Sequence, residues 1–313
     1  MNPEAGAILG LTLSPRMGSV TINRLIAWAT SSGRSLSELM RLPLQELLEI
    51  LPTELHTGAD ALSVCAERYM GRASAMIERV EKAGGQAIVS TDGDYPESVK
   101  ISLGNAAPPF LCAVGNFELL EADAAGVVGT RKPSEEGTRL AERCARVFGE
   151  RGVPVVSGGA EGVDTTAHKA ALDAGGTTVV VLPQGLIVYR GPKELLVAVE
   201  DGRALLLSQF APDAPWSTQG ALTRNATIAA LSRLVCVIEP GRRGGSIRTA
   251  RHALEQGKNV MAYTRPEDEG VMRELERSGA RRLLGEDGRF DKARVVATWE
   301  AEGRSPARQS EMF

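Results

Sequence analysis

The chain has 313 residues, of which 43% are hydrophobic and 24% charged, and its formal net charge is −3. These totals describe a globular protein and exclude a disordered or fibrous one. No apolar run approaches the roughly 20 residues that cross a bilayer and no signal-peptide pattern opens the chain, which predicts a cytoplasmic protein with no membrane association.

Cys65, Cys112, Cys144 and Cys236 are far apart with no CxxC pair, so they are expected as small buried hydrophobes in a reducing compartment, with no metal and no cofactor. The slightly acidic total means that any polyanion contact has to come from a local patch.

In chain order, residues 5–82 carry apolar residues at helical spacing, including Ile22, Leu25, Ile26 and Trp28 and then Leu36, Leu39, Leu44, Leu47 and Leu48. Breaks at Ser14-Pro15, Ser32-Gly33, Leu42-Pro43 and Leu51-Pro52 cut this stretch into a small bundle of short helices. The piece Pro15-Arg16-Met17-Gly18-Ser19-Val20-Thr21 resembles the hairpin of helix-hairpin-helix modules, but a tight turn between two helices is the plainer reading. Domain boundaries are expected as 1–82 helical, 83–288 Rossmann-like and 289–313 a C-terminal tail with no winged helix.

Gly84-Gly85 closes a helix, and Gln86 to Thr91 reads as a short strand before a turn-rich connection. From Ala125 the pattern alternates: strands at 125–130, 153–157, 177–182, 203–209, 233–239 and 259–263, with helices at 136–149, 164–174, 192–200, 224–231 and 247–256. The strands are continuous apolar runs, as expected when helices cover both faces of a parallel sheet. The predicted fold class is α/β, an extended Rossmann-like doubly wound, mostly parallel sheet with a small N-terminal helical domain. Ligands of such a sheet lie beyond the C-terminal strand ends.

Three of those ends carry unusual residues. Gly129-Thr130-Arg131 follows the first strand, with Ser134 placed to cap the next helix; a guanidinium there can fork two phosphate oxygens, although an ordinary solvated arginine fits the segment equally. Val155 to Ala171 reads VVSGGAEGVDTTAHKAA, a strand, a glycine turn around Ser157, Gly158 and Gly159, and a helix start that suits an anion. Asp164 is expected as the N-cap of that helix, and His168 as a buried imidazole bonded to a neighbour. Gly241 to Arg251 reads GRRGGSIRTAR, with Arg242, Arg243, Gly244, Gly245 and Ser246 at a strand-to-helix turn that outlines a polyanion site; Ser246 or Thr249 can help to close the helix start, and although composition alone fits a solvated basic loop equally, glycines beside arginines at such a turn favour phosphate binding. Arg224 and Asn225 start another helix on the same edge.

Together these motifs resemble the DNA-processing protein A (DprA/Smf) family. The likeness rests on Gly129-Thr130-Arg131, SGGAEGVDTTAHKAAL from Ser157, GGTTVVVL from Gly175, Arg224-Asn225 followed by IAALS from Ile228, and GGSIRTA from Gly244. It implies a sterile-alpha-motif-like helical domain, then a Rossmann fold that binds single-stranded DNA as a homodimer and hands it to RecA recombinase in natural transformation. The positions it carries over as DNA-binding are Arg131, Ser157, Gly158, Gly159, Arg224 and Asn225. The chain departs from the family pattern at Ala221, Ala226, Pro183, Arg190 and Gln209, and Arg190, Lys193, Arg242 and Arg243 are candidates to restore the lost charge.

Tyr189 and Trp216 are the expected base-stacking candidates. A rival reading is a nucleotide-hydrolysing Rossmann enzyme of the lysine-decarboxylase-like, cytokinin-activating type, or a sensor of a free nucleotide. His252 stands where the enzyme pattern has its glutamate, and no Walker loop, nucleophile elbow or HExxH occurs, so the expectation is a protein that is not an enzyme.

Overall fold

The helix breaks in the first 82 residues fall where proline or glycine interrupts the apolar spacing. In the computed structural model, which describes residues 3–302, the helices are α1 (Pro3–Leu13), α2 (Ser19–Ser31), α3 (Leu36–Leu39), α4 (Leu44–Ile50), α5 (His56–Arg68) and α6 (Met70–Lys82). Ile8, Leu11, Leu25, Leu36, Leu47, Leu62 and Ile77 are fully buried among them, whereas Leu48 faces solvent. An antiparallel pair, β1 (Gly85–Val89) and β2 (Phe110–Gly115), follows, with α7 (Glu97–Leu103) in the connection. These elements form one compact unit made of Met1–Val114, Gln184–Arg190 and Leu207–Trp216, and the rest of the chain forms a second.

The doubly wound sheet starts with β3 (Ala124–Gly129), α8 (Glu135–Gly149), β4 (Val155–Ser157), α9 (Val163–Asp173), β5 (Thr178–Leu182), α10 (Lys193–Glu200) and β6 (Ala204–Ser208). It continues with α11 (Thr218–Thr223), α12 (Asn225–Leu231), β7 (Ser232–Ile238), α13 (Gly245–Glu255), β8 (Asn259–Tyr263), α14 (Glu269–Arg277), β9 (Arg281–Arg282) and α15 (Lys292–Glu300). The strand order is β6-β5-β4-β3-β7-β8-β9, and the pairs from β5 to β9 are parallel. The chain winds outward one way through β4 and β5, then restarts beside β3 and winds the other way through β8. Right-handed crossovers therefore put α8 and α9 on one face and α13 on the other. The doubly wound α/β architecture expected from the sequence is the one found.

The winding order reverses between the parallel strands β3 and β7, and ligands of such sheets settle in the crevice at that point. Gly129 and Ile238 are partners in register at the ends of these two strands. The core beneath is apolar: Val127, Leu140, Phe148, Val155, Val163 and Cys236 are buried together. All four cysteines are free and buried, as their spacing suggested.

Two local expectations change. The helix expected at 224–231 begins earlier, as α11, where the Ser217 hydroxyl accepts from the Gly220 N–H at 2.9 Å, and it bends at Arg224 into α12. Within the stretch read as a C-terminal tail, residues 292–300 form α15, with Val295 buried and Trp299 tilted against Phe148 at 6.4 Å. Residues 303–313 of that stretch lie outside the described residues. Among the described residues, no helix is long and apolar enough to cross a membrane.

Candidate nucleic-acid interface

The ends of β3, β4 and β7 are joined by backbone contacts. The Thr130 N–H donates to Ile238 O at 3.1 Å, and the Val163 N–H donates to Thr130 O at 3.2 Å. Gly162 makes the second contact possible. It has φ +87°, a region closed to most residues, and a Cβ there would lie 2.5 Å from Thr130 O. The Gly129-Thr130-Arg131 turn and the glycine loop are thereby one continuous surface.

Gly162, not Asp164, is the N-cap of α9, so the capping role expected for Asp164 is corrected. Asp164 sits in the first turn, 6% exposed, and accepts from the Ala160 N–H at 3.4 Å. Burial raises its carboxyl above the usual range, against the opposing pull of Arg224 and of hydrogen bonds from the loop. Ser157 is fully buried and donates to Val127 O at 2.6 Å, so its hydroxyl faces the sheet. His168 is the hydrogen-bonded imidazole expected: Nδ1 lies 2.6 Å from Thr178 Oγ1. Because Thr178 gives its own proton to Val155 O at 2.6 Å, the ring donates to it from Nδ1. Burial, reinforced by the Arg224 charge, pushes the His168 pKa down to about 3.

Arg224 is not a solvated cation. It is 5% exposed, its Nη1 donates to Val181 O at 2.8 Å, and its guanidinium lies across Gly158. A Cβ on Gly158 would stand 1.6 Å from Nη1. Burial pulls the Arg224 pKa down, Asp164 opposes this, and the charge of Arg131 adds to the fall, which puts the two arginines in one electrostatic neighbourhood. Asn225, also buried, donates from Nδ2 to Gly245 O at 3.1 Å and so ties α12 to the Gly244-Gly245-Ser246 turn. That turn caps α13 with Gly244 and no side chain; Ser246 is not the cap, and the Thr249 hydroxyl instead donates to Gly245 O at 3.2 Å.

The remaining candidates point outward. Arg131, Arg242 and Arg243 are exposed, and Gly159 is half-buried in the loop. Arg190 is exposed but spends Nη1 on Ile187 O and Tyr189 O. Lys193 is exposed at the start of α10, and Trp216 is 51% exposed. Within the second unit the arrangement is a neutral backbone floor with the buried Arg224 beneath it and exposed Arg131 beside it, which suits an anionic ligand such as a phosphate.

Sequence reasoning missed Glu239 and Arg265. Glu239, the residue after β7, is buried, has φ +48° and forms an ion pair with Arg265 at 2.8 Å. Burial alone would raise its pKa, but hydrogen bonds from Arg265 and Ser134 outweigh it and hold the carboxyl below the usual range. Ser134 does cap α8 as expected, accepting from the Gly137 N–H at 3.0 Å. The available signal was that Glu239 is the lone acid between β7 and the arginine-rich turn.

Comparison with known proteins gives the same direction. The DNA processing protein DprA of Streptococcus pneumoniae is 37% identical over 158 residues, 50% of this chain and 55% of that protein. An X-ray structure of the pneumococcal DprA superposes with a TM-score of 0.75 at 24% identity, covering 96% of this chain and 99% of that one. A Helicobacter pylori DNA processing protein A structure, described for its single-stranded DNA binding mode, matches at a TM-score of 0.57 and 25% identity, covering 68% of this chain and 94% of that one. The chain spans about half the length of the curated relatives it matches. The model of the DNA recombination-mediator protein A family matches residues 86–291. That span contains every strand of the doubly wound sheet and all of the turns described above, and the chain belongs to the DNA recombination-mediator protein A family.

Proposed function

We propose that this protein binds single-stranded DNA by its phosphates along the β3, β4 and β7 strand ends. In this reading it acts without catalysis, in the cytoplasm and as a homodimer, protecting incoming DNA and loading RecA recombinase onto it in natural transformation or recombination. The observation that carries the reading is the stacking of the Ser157-Gly158-Gly159 backbone on the buried Arg224 guanidinium with exposed Arg131 beside it. Such a floor offers backbone N–H groups and positive potential but no base-reading side chains, so binding tolerates any sequence. The single-stranded DNA binding mode ascribed to the Helicobacter pylori relative supports the same assignment. Asp164 and His168 support a binding role, because both are buried in scaffolding positions and the His168 ring, its pKa pushed down to about 3, does not titrate near neutral pH.

The test is a titration of a labelled single-stranded oligonucleotide at several salt concentrations, with duplex DNA and nucleoside monophosphates in parallel. Tight binding of the single strand is expected, with a log–log salt slope of roughly −0.7 for each phosphate contacted and neither retention nor turnover of the monophosphates. Salt-independent binding, or retention of the monophosphates alone, rejects the reading. RecA filament growth on single-stranded DNA, with and without the protein, tests the loading step.

A further inference from the structure

We infer that Glu239 and Arg265 are positioning residues that set where Arg131 offers its guanidinium to a nucleic-acid phosphate. The inference rests on the proposed single-stranded DNA reading and adds two residues and a mechanism to it.

Glu239 leaves β7 in a left-handed conformation, φ +48°, while its N–H donates to Tyr263 O at 2.7 Å. A non-glycine residue held there is strained, and strain of this kind persists where the surroundings fix it. The turned backbone carries the carboxylate across the switch point to the start of α8. There it accepts from the Ser134 N–H at 2.9 Å and from the Ser134 hydroxyl. Gly137 leaves the space, since a Cβ on it would lie 2.7 Å from Oε1.

Arg265, just beyond β8, closes the arrangement. Its Nε and Nη2 reach Glu239 Oε2 at 3.0 and 2.8 Å, and the same Nη2 donates to Lys132 O at 3.0 Å. The turn is therefore held at three places: Thr130 by Ile238 O, Lys132 by Arg265, and Ser134 by Glu239. Arg131 lies between the first two anchors with its side chain exposed and, among the described residues, in no hydrogen bond or ion pair. Fixing the backbone on both sides of a free cation lowers the ordering cost of its contact with a phosphate. Glu239 also occupies the positive end of α8 with the protein's own carboxylate, which directs an incoming phosphate to the glycine loop instead.

A double-mutant cycle between Arg131→Ala and Arg265→Ala, read as single-stranded oligonucleotide affinity at fixed salt, tests the inference; thermal unfolding of each variant runs alongside. Arg265→Ala is expected to weaken binding by about fivefold or more in the parent and by less than about twofold when Arg131 is already alanine. Arg265→Lys should not restore the parent affinity, because an ammonium cannot reproduce the guanidinium fork. If Arg265→Ala does not fold, Glu239→Gln takes its place in the cycle, with the same expectation. Equal losses in both backgrounds, or no loss in either, overturn the positioning role while leaving the DNA reading intact. An Arg131→Ala variant that binds as the parent does overturns the assignment of this turn to DNA itself.

Discussion

The guanidinium of Arg224 rests on the Cα of Gly158, 66 positions earlier in the chain, so closely that a methyl group on Gly158 would stand 1.6 Å from Nη1 and 2.1 Å from Nη2. An arginine in a motif reads from sequence as a phosphate hand. Here it is a buried strut that donates to Val181 O at the end of β5 and supports the glycine loop from below. Its charge still reaches the loop surface, because little water lies between to screen it.

Gly158→Ala should therefore act by evicting that guanidinium. The end of a long side chain can move, so the cost is the lost charge-assisted bond to Val181 O rather than a backbone clash, about 1.5–3 kcal/mol. Arg224→Ala removes the same bond and also the obstacle. In the Arg224→Ala background, Gly158→Ala should cost less than about 0.5 kcal/mol, which urea unfolding of the four proteins would measure. Additive losses would mean that the contact does not control the loop.

The rim arginines should behave differently from the strut. Arg131→Ala is expected to weaken single-stranded DNA binding and to make its salt slope shallower by roughly 0.7, the signature of one lost phosphate contact. Arg242→Ala combined with Arg243→Ala should do the same by up to roughly twice as much. A strong effect of the first with none of the second would remove these two residues from the track.

The doubly wound fold was legible because strands buried on both faces are apolar throughout: Val179 to Leu182 and Leu234 to Ile238 are almost entirely inaccessible. The turns that form the site were legible as glycine clusters. What local sequence could not tell was which charged side chains point inward. Arg224 is buried because Gly158, just after β4, receives it, and Glu239 because Ser134, 105 residues away, and Arg265, 26 residues away, satisfy it. Both pairings depend on the order of strands in the sheet. Asp164 misled for a related reason: an acid near the end of a glycine loop has the look of a cap, but the positive-φ Gly162, two residues before it, is the N-cap and the helix starts at Val163.

The free side of β9 makes a prediction independent of DNA. Arg294 on α15 donates from Nη1 to Leu284 O at 2.8 Å and from Nη2 to Arg282 O at 2.7 Å, standing where a neighbouring strand would otherwise bond. Arg294→Ala should destabilise the C-terminal segment by about 1–3 kcal/mol and speed amide exchange in residues 281–284. Arg294→Lys should rescue little, since one ammonium cannot fork two carbonyls. Unchanged exchange in that strand would show that the edge needs no cover.

Acid sensitivity should report on His168. Its pKa falls from 6.5 in the unfolded chain to about 3 in the folded protein, chiefly through burial. Between those two values the unfolded state binds the extra proton, so the contribution of this residue is complete above pH 6.5 and shrinks as the pH drops toward 3. The loss approaches about 1.4 kcal/mol per pH unit within that window. Asp164 works in the opposite sense, because its raised pKa gives the folded state a proton that the unfolded chain has already released. The two contributions separate in a comparison of the parent with His168→Gln. The variant is less stable at pH 7 because it loses the Thr178 contact, but its stability should fall less steeply than the parent's from pH 6.5 to pH 4. Parallel stability curves for the two proteins across that range would mean that His168 is already protonated in the folded state, and the neutral, Nδ1-protonated ring would be the wrong description.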